Sequence, residues 1–566
     1  MSSNRLTGQR AWFADARFGV FVHFGLYTLL GENENTCRKE RTPLEYEQQL
    51  MPLFNPQRFN ADQWVRLIQD AGATYIVLTT KHCEGFCLWD TDHTRFKITN
   101  TPFRRDLVRE IADAAHKHGL RLGLYFASDN WHYQEPGEGT AEARTYPTYV
   151  EAQLRELLTR YGQVDELWFD GKDARLTVDI VRNLINMIHT LQPTAVVNNR
   201  AVNMSKHSTC LLGDFATPER MIPESLSPGA PFIECCDAMG VYSWGYYKGE
   251  HFWSVPEMIR RLSRVACMGG NYLLNIEPQP DGEIRPECVD RLRLMGRWIA
   301  AHRQALFDVT PSPLIPLDSG VDQLPKVVDQ LPAVGMSCAR DSTVYFHLHH
   351  WPDSDEVFVK HVRGKPIAAK LLGSDAALHA NLAEDGLHIT GLPPEPPTTS
   401  VAIIQVDFAE PPAVDQLAIE KARRIVTRVP PGETVNLLPE ASTRYGTNGI
   451  NWPRINRFAN GNMAVGYMAY LECAVQWHLD VAQPGRYQVF ADLGTCSLQK
   501  DAVFTMTIAG QTLTAKTVEN GWYDQCQRMN IGTVKLPIGP AVLDLKIQEM
   551  PRAFSDIHRI VLQPLS

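Results

Sequence analysis

Along the first 300 residues, short apolar runs alternate with stretches whose apolar positions recur every three to four residues. These are the periods of buried strands and of amphipathic helices. GVFVHF (19–24) predicts a strand, and ADQWVRLIQDAG (61–72) a helix ending in Gly. TYIVLTT (74–80) is a β-branched strand, followed by the helical pattern RDLVREIADAAHKHGL (105–120). RLGLYFAS (121–128) and DELWFDG (165–171) are further strands, separated by PTYVEAQLRELLTRYG (147–162), a helix with Pro at its start. TVDIVRNLINMIHTLQP (177–193) is a helix and TAVVNNR (194–200) a strand. FIECC (232–236) and NYLLNI (271–276) predict strands around the helix SVPEMIRRLSRVACMGG (254–270), and a helix over 288–305 closes the unit. Strands followed by helices in this rhythm imply a parallel sheet with crossover helices. No glycine-rich phosphate fingerprint follows the first strand, which disfavours a dinucleotide fold. His23, His82, Tyr125, Asp170 and Arg200 each fall at or just past the C-terminal end of a separate strand. Polar residues collected on that rim are the arrangement of a TIM-barrel active site.

The pattern then changes. DVTPSPLIPLDSG (308–320) is a Pro-rich link, followed by the short strands TVYFHLHHW, EVFVKHV, AAKLLG, GLHITGL and TSVAIIQVDF. A second such series runs from YLECAVQWHLDV (470–481) to HRIVLQPL (558–565). Short alternating strands with turn signals between them predict β-sandwiches. The fold class is therefore multidomain: a (β/α)8-like TIM barrel over 1–308, an all-β sandwich over 309–410, a linker over 411–429 and a second β-sandwich over 430–566.

A length of 566 residues suits three domains. The balance of 55 basic and 64 acidic residues gives −9, and no polybasic run occurs, which argues against nucleic acid and anionic membrane as partners. No apolar stretch has the length of a membrane helix, so no membrane insertion is expected. The opening MSSNRLTGQRAWFADARFG lacks an apolar h-region, leaving the compartment open between cytoplasm and a secreted form with its leader removed. Twelve scattered cysteines show no short metal spacing and predict buried free thiols. His347 and His349 alternate onto one strand face, but nothing nearby in sequence completes a ligand set, so no metal is expected there.

Two features carry chemistry. Trp168-Phe169-Asp170-Gly171 delivers a carboxylate at a strand's C-terminal end, although an Asp there also serves as a helix or turn cap. GDFATPE (213–219) reads as a Gly/Pro-punctuated loop over the barrel mouth bearing Asp214 and Glu219. Paired carboxylates on a barrel rim, without metal or nucleotide motifs, point to glycoside hydrolysis. His23, His82, Tyr125 and Arg200 suit sugar hydroxyls, while Trp168 and Trp244 offer apolar faces.

Residues 11–305 resemble the retaining α-L-fucosidases of glycoside hydrolase family 29. The resemblance rests on RFGVFVHFGLY (17–27), AGATYIVLTTKHCEGFCLW (71–89), RRDLVREI (104–111), HGLRLGLYF (118–126), ELWFDG (166–171), NNR (198–200), GDFATPE (213–219), SWGYY (243–247) and GGNYLLNIEPQPDGEI (269–284), in family order. It implies Asp170 as nucleophile and Glu219 as general acid/base, the latter protonated at the start. It implies His23, His82, Tyr125, Trp168 and Arg200 around the fucose ring, Trp244 against its C6 methyl, and no catalytic cofactor. The implied substrate is terminal α-L-fucose on an oligosaccharide or glycoconjugate. Two departures stand out: Cys83 follows His82 where the family often has a second His, and the usual Glu-Trp-Tyr is replaced by Glu34-Asn35 as the nearest match. These leave a related sugar such as α-L-galactose as an alternative. A fucose-binding protein without catalysis is a second alternative, and a metal-dependent hydrolase using His23, His82 and Asp170 a third. The last domain resembles family 6 and 35 carbohydrate-binding modules in PGRYQVFADLG (484–494) and GWYDQCQRMNIGTVKLPIGPAVLDLKI (521–547). That resemblance implies sugar-stacking candidates in Trp452, Trp477, Trp522 and Tyr523, and a structural calcium. A homo-oligomer is compatible with all of these readings.

Overall fold

The computed structural model describes residues 6, 8–32, 34–35, 42–133, 141–171, 173–201, 212–223, 232–318, 333–360, 362–414, 425–445, 454–458, 462–466, 468, 471, 473–521, 524–550 and 553–565. Seven parallel strands build the first sheet: β1 (Phe18–Val22), β2 (Tyr75–Lys81), β3 (Arg121–Ala127), β4 (Glu166–Asp170), β5 (Val196–Val197), β6 (Glu234–Ala238) and β7 (Asn271–Ile276). Their order, β5-β4-β3-β2-β1-β7-β6, leaves β5 and β6 at the two edges. The segment 214–220 fills the gap between them, bridging Asn198 through Phe215 on one side and Ile233 and Cys236 through Ala216 and Glu219 on the other. The curled sheet is thereby closed into a barrel.

The helices expected between these strands are present as α1 (Ala61–Asp70), α2 (Leu107–His118), α3 (Ala141–Arg160), α4 (Val178–Leu191), α5 (Val255–Cys267) and α6 (Pro286–His302). Asn60, Asp106, Thr177 and Ser254 cap four of them, each side chain accepting the amide of the third helical residue. Such caps are worth about 1 kcal/mol each. The strands alternate strictly. Phe21, Tyr75, Val77, Tyr125, Trp168, Val196, Phe215 and Cys236 fill the lumen, which Phe13 joins. Val20, Ile76, Leu124, Leu167, Val197 and Leu274 point outward into the helical layer.

GDFATPE is therefore a stave of the barrel, not the loop its composition suggests. Gly213 sits at φ +123, where an added Cβ would meet the Asn198 carbonyl oxygen at 2.4 Å. After that turn, Phe215 points into the lumen and Ala216 into the helical layer. A two-residue alternation is too short to register as a strand in sequence.

Beyond the barrel, one antiparallel sheet orders Pro366–Leu371, Ala402–Phe408, Thr343–Leu348, Gly335–Arg340 and Thr310–Pro311, and a second orders His379–Leu382, Gly386–Thr390, Glu356–Lys360 and Leu317–Asp318. Val344, Phe346, Val357, Val359, Leu387 and Ile404 pack between them. The last two sheets are six-stranded and enclose Trp477, Val489, Phe504, Leu545 and Ile560. The linker expected over 411–429 ends in a strand, Val426–Val429, paired in parallel with Ala474–Val481. Val426 and Arg428 face outward there, and the Pro430-Pro431 pair that follows at once hides so short an edge strand. Of ten described cysteines nine are buried, as expected, and Cys526 is exposed.

Candidate active site

Ten of the residues singled out in the sequence converge on one cavity of about 140 Å³ at the C-terminal mouth of the barrel. His23, Glu34, His82, Cys83, Tyr125, Trp168, Asp170, Arg200, Glu219 and Trp244 line it, joined by Phe21, Asn35 and Cys236. Its volume is below the 300–1,000 Å³ typical of pockets for drug-sized ligands and suits one small ring. A wider depression of about 930 Å³ over Glu47, Gln48, Met51, Thr99 and Arg104 contains none of these groups. Convergent charge assigns the chemistry to the smaller cavity.

Arg200 organises the carboxylates. Its Nη1 lies 3.5 Å from Asp170 Oδ1 and 2.8 Å from Glu219 Oε2. Those two contacts hold the two oxygens no more than about 6.3 Å apart, just short of the 6.5–9.5 Å spacing of inverting pairs. Arg200 is itself fixed: Nε donates to Thr217 Oγ1 (2.7 Å), Nη2 to the Thr217 carbonyl (2.9 Å), and the guanidinium covers the Trp168 ring at 4.7 Å. Tyr125 OH donates to Asp170 Oδ2 at 3.0 Å. Burial raises the Asp170 carboxyl, but Arg200, the Gly171 amide, His82 and Tyr125 outweigh it, leaving its pKa below the ordinary aspartate value. Glu219 does not have the apolar surroundings expected of an acid. Its side chain is 43 % exposed and its partner is Arg200.

The two histidines differ. Burial first, then the neighbouring His82, lowers His23 to about 3, so it is a neutral imidazole. Its Nδ1 is 2.7 Å from Asn275 Oδ1, an acceptor, which assigns the proton to Nδ1 and leaves Nε2 as a lone pair facing the cavity. His82 is buried too, yet Glu84 (3.4 Å away), Glu34 and Asp170 outweigh that burial and raise its pKa. One ring accepts and the other donates. Glu34 stands in the cavity wall, where its Oε2 accepts from Ser243 Oγ (2.7 Å) and the Trp244 amide (3.0 Å). Burial raises its carboxyl, and Ser243 and His82 more than compensate. Asn275 Nδ2 holds the Trp244 carbonyl at 2.7 Å, and Arg220 lies against the Trp244 ring at 4.8 Å.

Trp168 is a buried floor more than an open platform, 2 % exposed, with its Nε1–H donated to Glu234 Oε1 at 2.8 Å. Tyr75 OH donates to Glu234 Oε2 at 2.6 Å. Burial lifts Glu234 to about 7, and burial together with the Glu234 charge lifts Glu166 well above the ordinary value. A buried carboxyl pair, both members raised above the ordinary glutamate value, thus lies beneath the site. Burial, followed by the Asp170 charge, raises Cys83, keeping it a thiol and a weak donor.

Other sequence-stated candidates lie elsewhere. Asp214 is committed to Arg10 (3.1 Å), His189 (3.0 Å) and the Val197 amide (2.8 Å), away from the mouth. Trp477 is fully buried in the last sandwich with its Nε1 bonded to the Leu438 carbonyl, so it packs a core and stacks on no sugar. Trp452, Trp522 and Tyr523 lie outside the described residues. Among the described residues, the metal-capable group is Cys267, Cys338 and His347, soft donors outside the last sandwich and unsuited to calcium. No described helix is long and apolar enough to cross a membrane. Phe21 and Cys236 were missed, though both share a strand face with a recognised lining position, two residues from His23 and opposite Glu219. Glu234 was hidden because a carboxylate inside an apolar strand carries no local signal of its partners.

The Alpha-L-fucosidase family profile matches residues 2–304. The chain is 28 % identical over 415 residues to the plasma alpha-L-fucosidase of Homo sapiens, covering 67 % of this chain and 85 % of that protein. It is similar to the structure of alpha-L-fucosidase isoenzyme 1 from Paenibacillus thiaminolyticus, at 28 % identity and TM-score 0.62 over 71 % of this chain and 99 % of that one. The alpha-L-fucosidase from Vibrio sp. strain EJY3 matches 100 % of this chain and 99 % of its own at TM-score 0.64 and 20 % identity, which extends the shared fold through the sandwich domains.

Proposed function

Because the chain belongs to the alpha-L-fucosidase family, we propose that it hydrolyses terminal α-L-fucose from glycans with retention of configuration, through a covalent fucosyl-enzyme. The observation that carries this reading is the shared Arg200 nitrogen, which keeps Asp170 Oδ1 and Glu219 Oε2 closer together than the carboxyls of an inverting pair. Asp170, ionised by its surroundings, attacks the anomeric carbon. Glu219 protonates the departing glycosidic oxygen and then takes a proton from the water that releases fucose. For the first step the glycosidic oxygen must take the place of Arg200 at Glu219 Oε2. His23 Nε2 accepts from one ring hydroxyl, and a His82 ring N–H donates to another. The small cavity supports removal of single terminal residues, and its Trp244 wall supports a C6 methyl in preference to a hydroxymethyl group.

The test is nitrophenol release from an aryl α-L-fucoside. Asp170→Gly is expected to abolish turnover with the circular dichroism spectrum unchanged. Azide is expected to restore turnover to Glu219→Ala, giving a fucosyl azide. Wild-type kinetics in Glu219→Ala would reassign the acid/base. β-Fucose as the first-formed anomer, seen by NMR, would overturn retention.

A further inference from the structure

The His347-Leu348-His349-His350 run has no part in the sugar site. His347 lies where the strand Thr343–Leu348 packs on α5 of the barrel, and it is fully buried. Two cysteines distant in sequence reach it there: Cys267, the last residue of α5, and Cys338, on the neighbouring strand and paired with Tyr345. Both are buried, and the two Sγ atoms and an imidazole nitrogen all lie within 4.8 Å of one another. His347 Nε2 is 3.5 Å from Cys338 Sγ. The Ala305 carbonyl oxygen approaches both, at 3.1 Å from Nε2 and 3.2 Å from Cys338 Sγ. On the far side of the ring, His347 Nδ1 lies 2.8 Å from Ser263 Oγ, which is also 3.0 Å from His349 Nε2.

We propose that Cys267, Cys338 and His347, with the Ala305 carbonyl as fourth donor, form a structural zinc site that fastens the barrel to the first sandwich. Tetrahedral zinc with Zn–S of about 2.3 Å and Zn–N of about 2.0 Å sets ligand edges of roughly 3.5 Å, the size of the Cys338–His347 edge. Two thiolates and an imidazole are the donor set zinc prefers over harder cations. The contact of Nδ1 with Ser263 is the outer hydrogen bond that orients a ligating histidine. Ser263 then donates its own proton to His349, so the chain of bonds stays satisfied. Binding releases the two thiol protons and welds together elements some 70 residues apart in sequence (about 70 from Cys267 to Cys338, by their numbers). The site shares no residue with the sugar cavity, so its failure and that of the fucosidase reading are separable.

The test uses the full chain, purified under reductant and equilibrated with Zn2+ alone, then desalted and analysed by plasma mass spectrometry. A single equivalent of zinc is expected, with Co2+ replacement giving thiolate-to-cobalt charge-transfer bands. Zinc affinity should fall about tenfold in Ser263→Ala and further in Cys338→Ser, with aryl fucoside turnover retained. Zinc-free wild type with reduced thiols, a Cys267–Cys338 disulfide by mass, or equal zinc in Cys338→Ser overturns the proposal. If Cys338→Ser does not fold, the cobalt spectrum of wild type decides: without thiolate bands, the site is refuted.

Discussion

Arg200 sets the charge state of the nucleophile. Asp170 is kept low mainly against its own burial, so its carboxylate survives to a lower pH than a free aspartate. The acid limb of kcat/KM assigned to Asp170 is expected below the ordinary aspartate value. In Arg200→Gln, that limb should move upward and kcat/KM should fall about 10²–10³-fold, as when a preorganised charge partner is removed. A pH profile checks both, and an unmoved limb assigns the ionisation to another group. At this scale the sequence was informative about the rim, because a strand's end fixes where its last side chain points. It could not tell His23 from His82. Burial and the neighbouring His82 lower the one, Glu84, Glu34 and Asp170 raise the other, and Asn275, which fixes the His23 tautomer, is more than 250 residues from that ring. Nor could it tell the lumen position of Trp168 from an open stacking face, since Glu234 and Arg200 meet that ring only in the closed barrel.

Elements follow the same division between local and distant causes. Helices α1, α2, α4 and α5 begin where their caps stand in sequence. Asp106 does more than cap α2: Oδ1 accepts the Arg109 amide at 2.8 Å, and Oδ2 accepts the Asp90 amide (3.1 Å) and Tyr161 OH (2.7 Å). Asp106→Ala should therefore cost about 2 kcal/mol, at the top of the range for caps, read as a lower denaturation midpoint with unchanged slope. Helix α3 shows where a local rule failed. Pro147 marked a first helical turn, yet the helix starts at Ala141. The adjacent Tyr146 is fully buried, its OH bonded to the Ser128 carbonyl at 2.6 Å and its ring covered by Arg175 at 3.7 Å. Such anchoring offsets the lost proline amide. Close packing of helices is equally invisible in sequence. A Cβ on Gly296 of α6 would meet the Asp70 carbonyl oxygen at 2.1 Å, so Gly296→Ala is expected to destabilise by about 1–3 kcal/mol despite its better helix propensity.

For the whole molecule, the change from long mixed elements to short alternating strands told the two kinds of fold apart, but not what lies against the barrel. Cys338, Tyr345, Val401 and Ile403 of the first sandwich belong to the same apolar core as the barrel helices, and Trp298 Nε1 donates to the Val401 carbonyl at 3.0 Å. A fragment of residues 1–308 is expected to be insoluble, and one of residues 1–414 to unfold cooperatively. A soluble, cooperative short fragment would show the barrel to be self-sufficient. The Glu166–Glu234 pair adds a pH dependence. Both carboxyls are raised in the folded state, so their stabilising contribution is full below the ordinary glutamate value and lost as pH rises through about 7. The melting temperature should thus fall between pH 5 and 8, and fall less in Glu166→Gln; equal slopes would discount the pair.

The segment 213–219 carries Glu219, while Asp170, His23, His82 and Tyr125 stand on the strands β1 to β4 or at their ends. Grip on the sugar and delivery of the proton are thus inherited on separate pieces of chain. A lineage descending from this protein can lose hydrolysis by substitution at Glu219 alone, with Thr217 still holding Arg200, and it would arrive at a fucose lectin with its recognition intact.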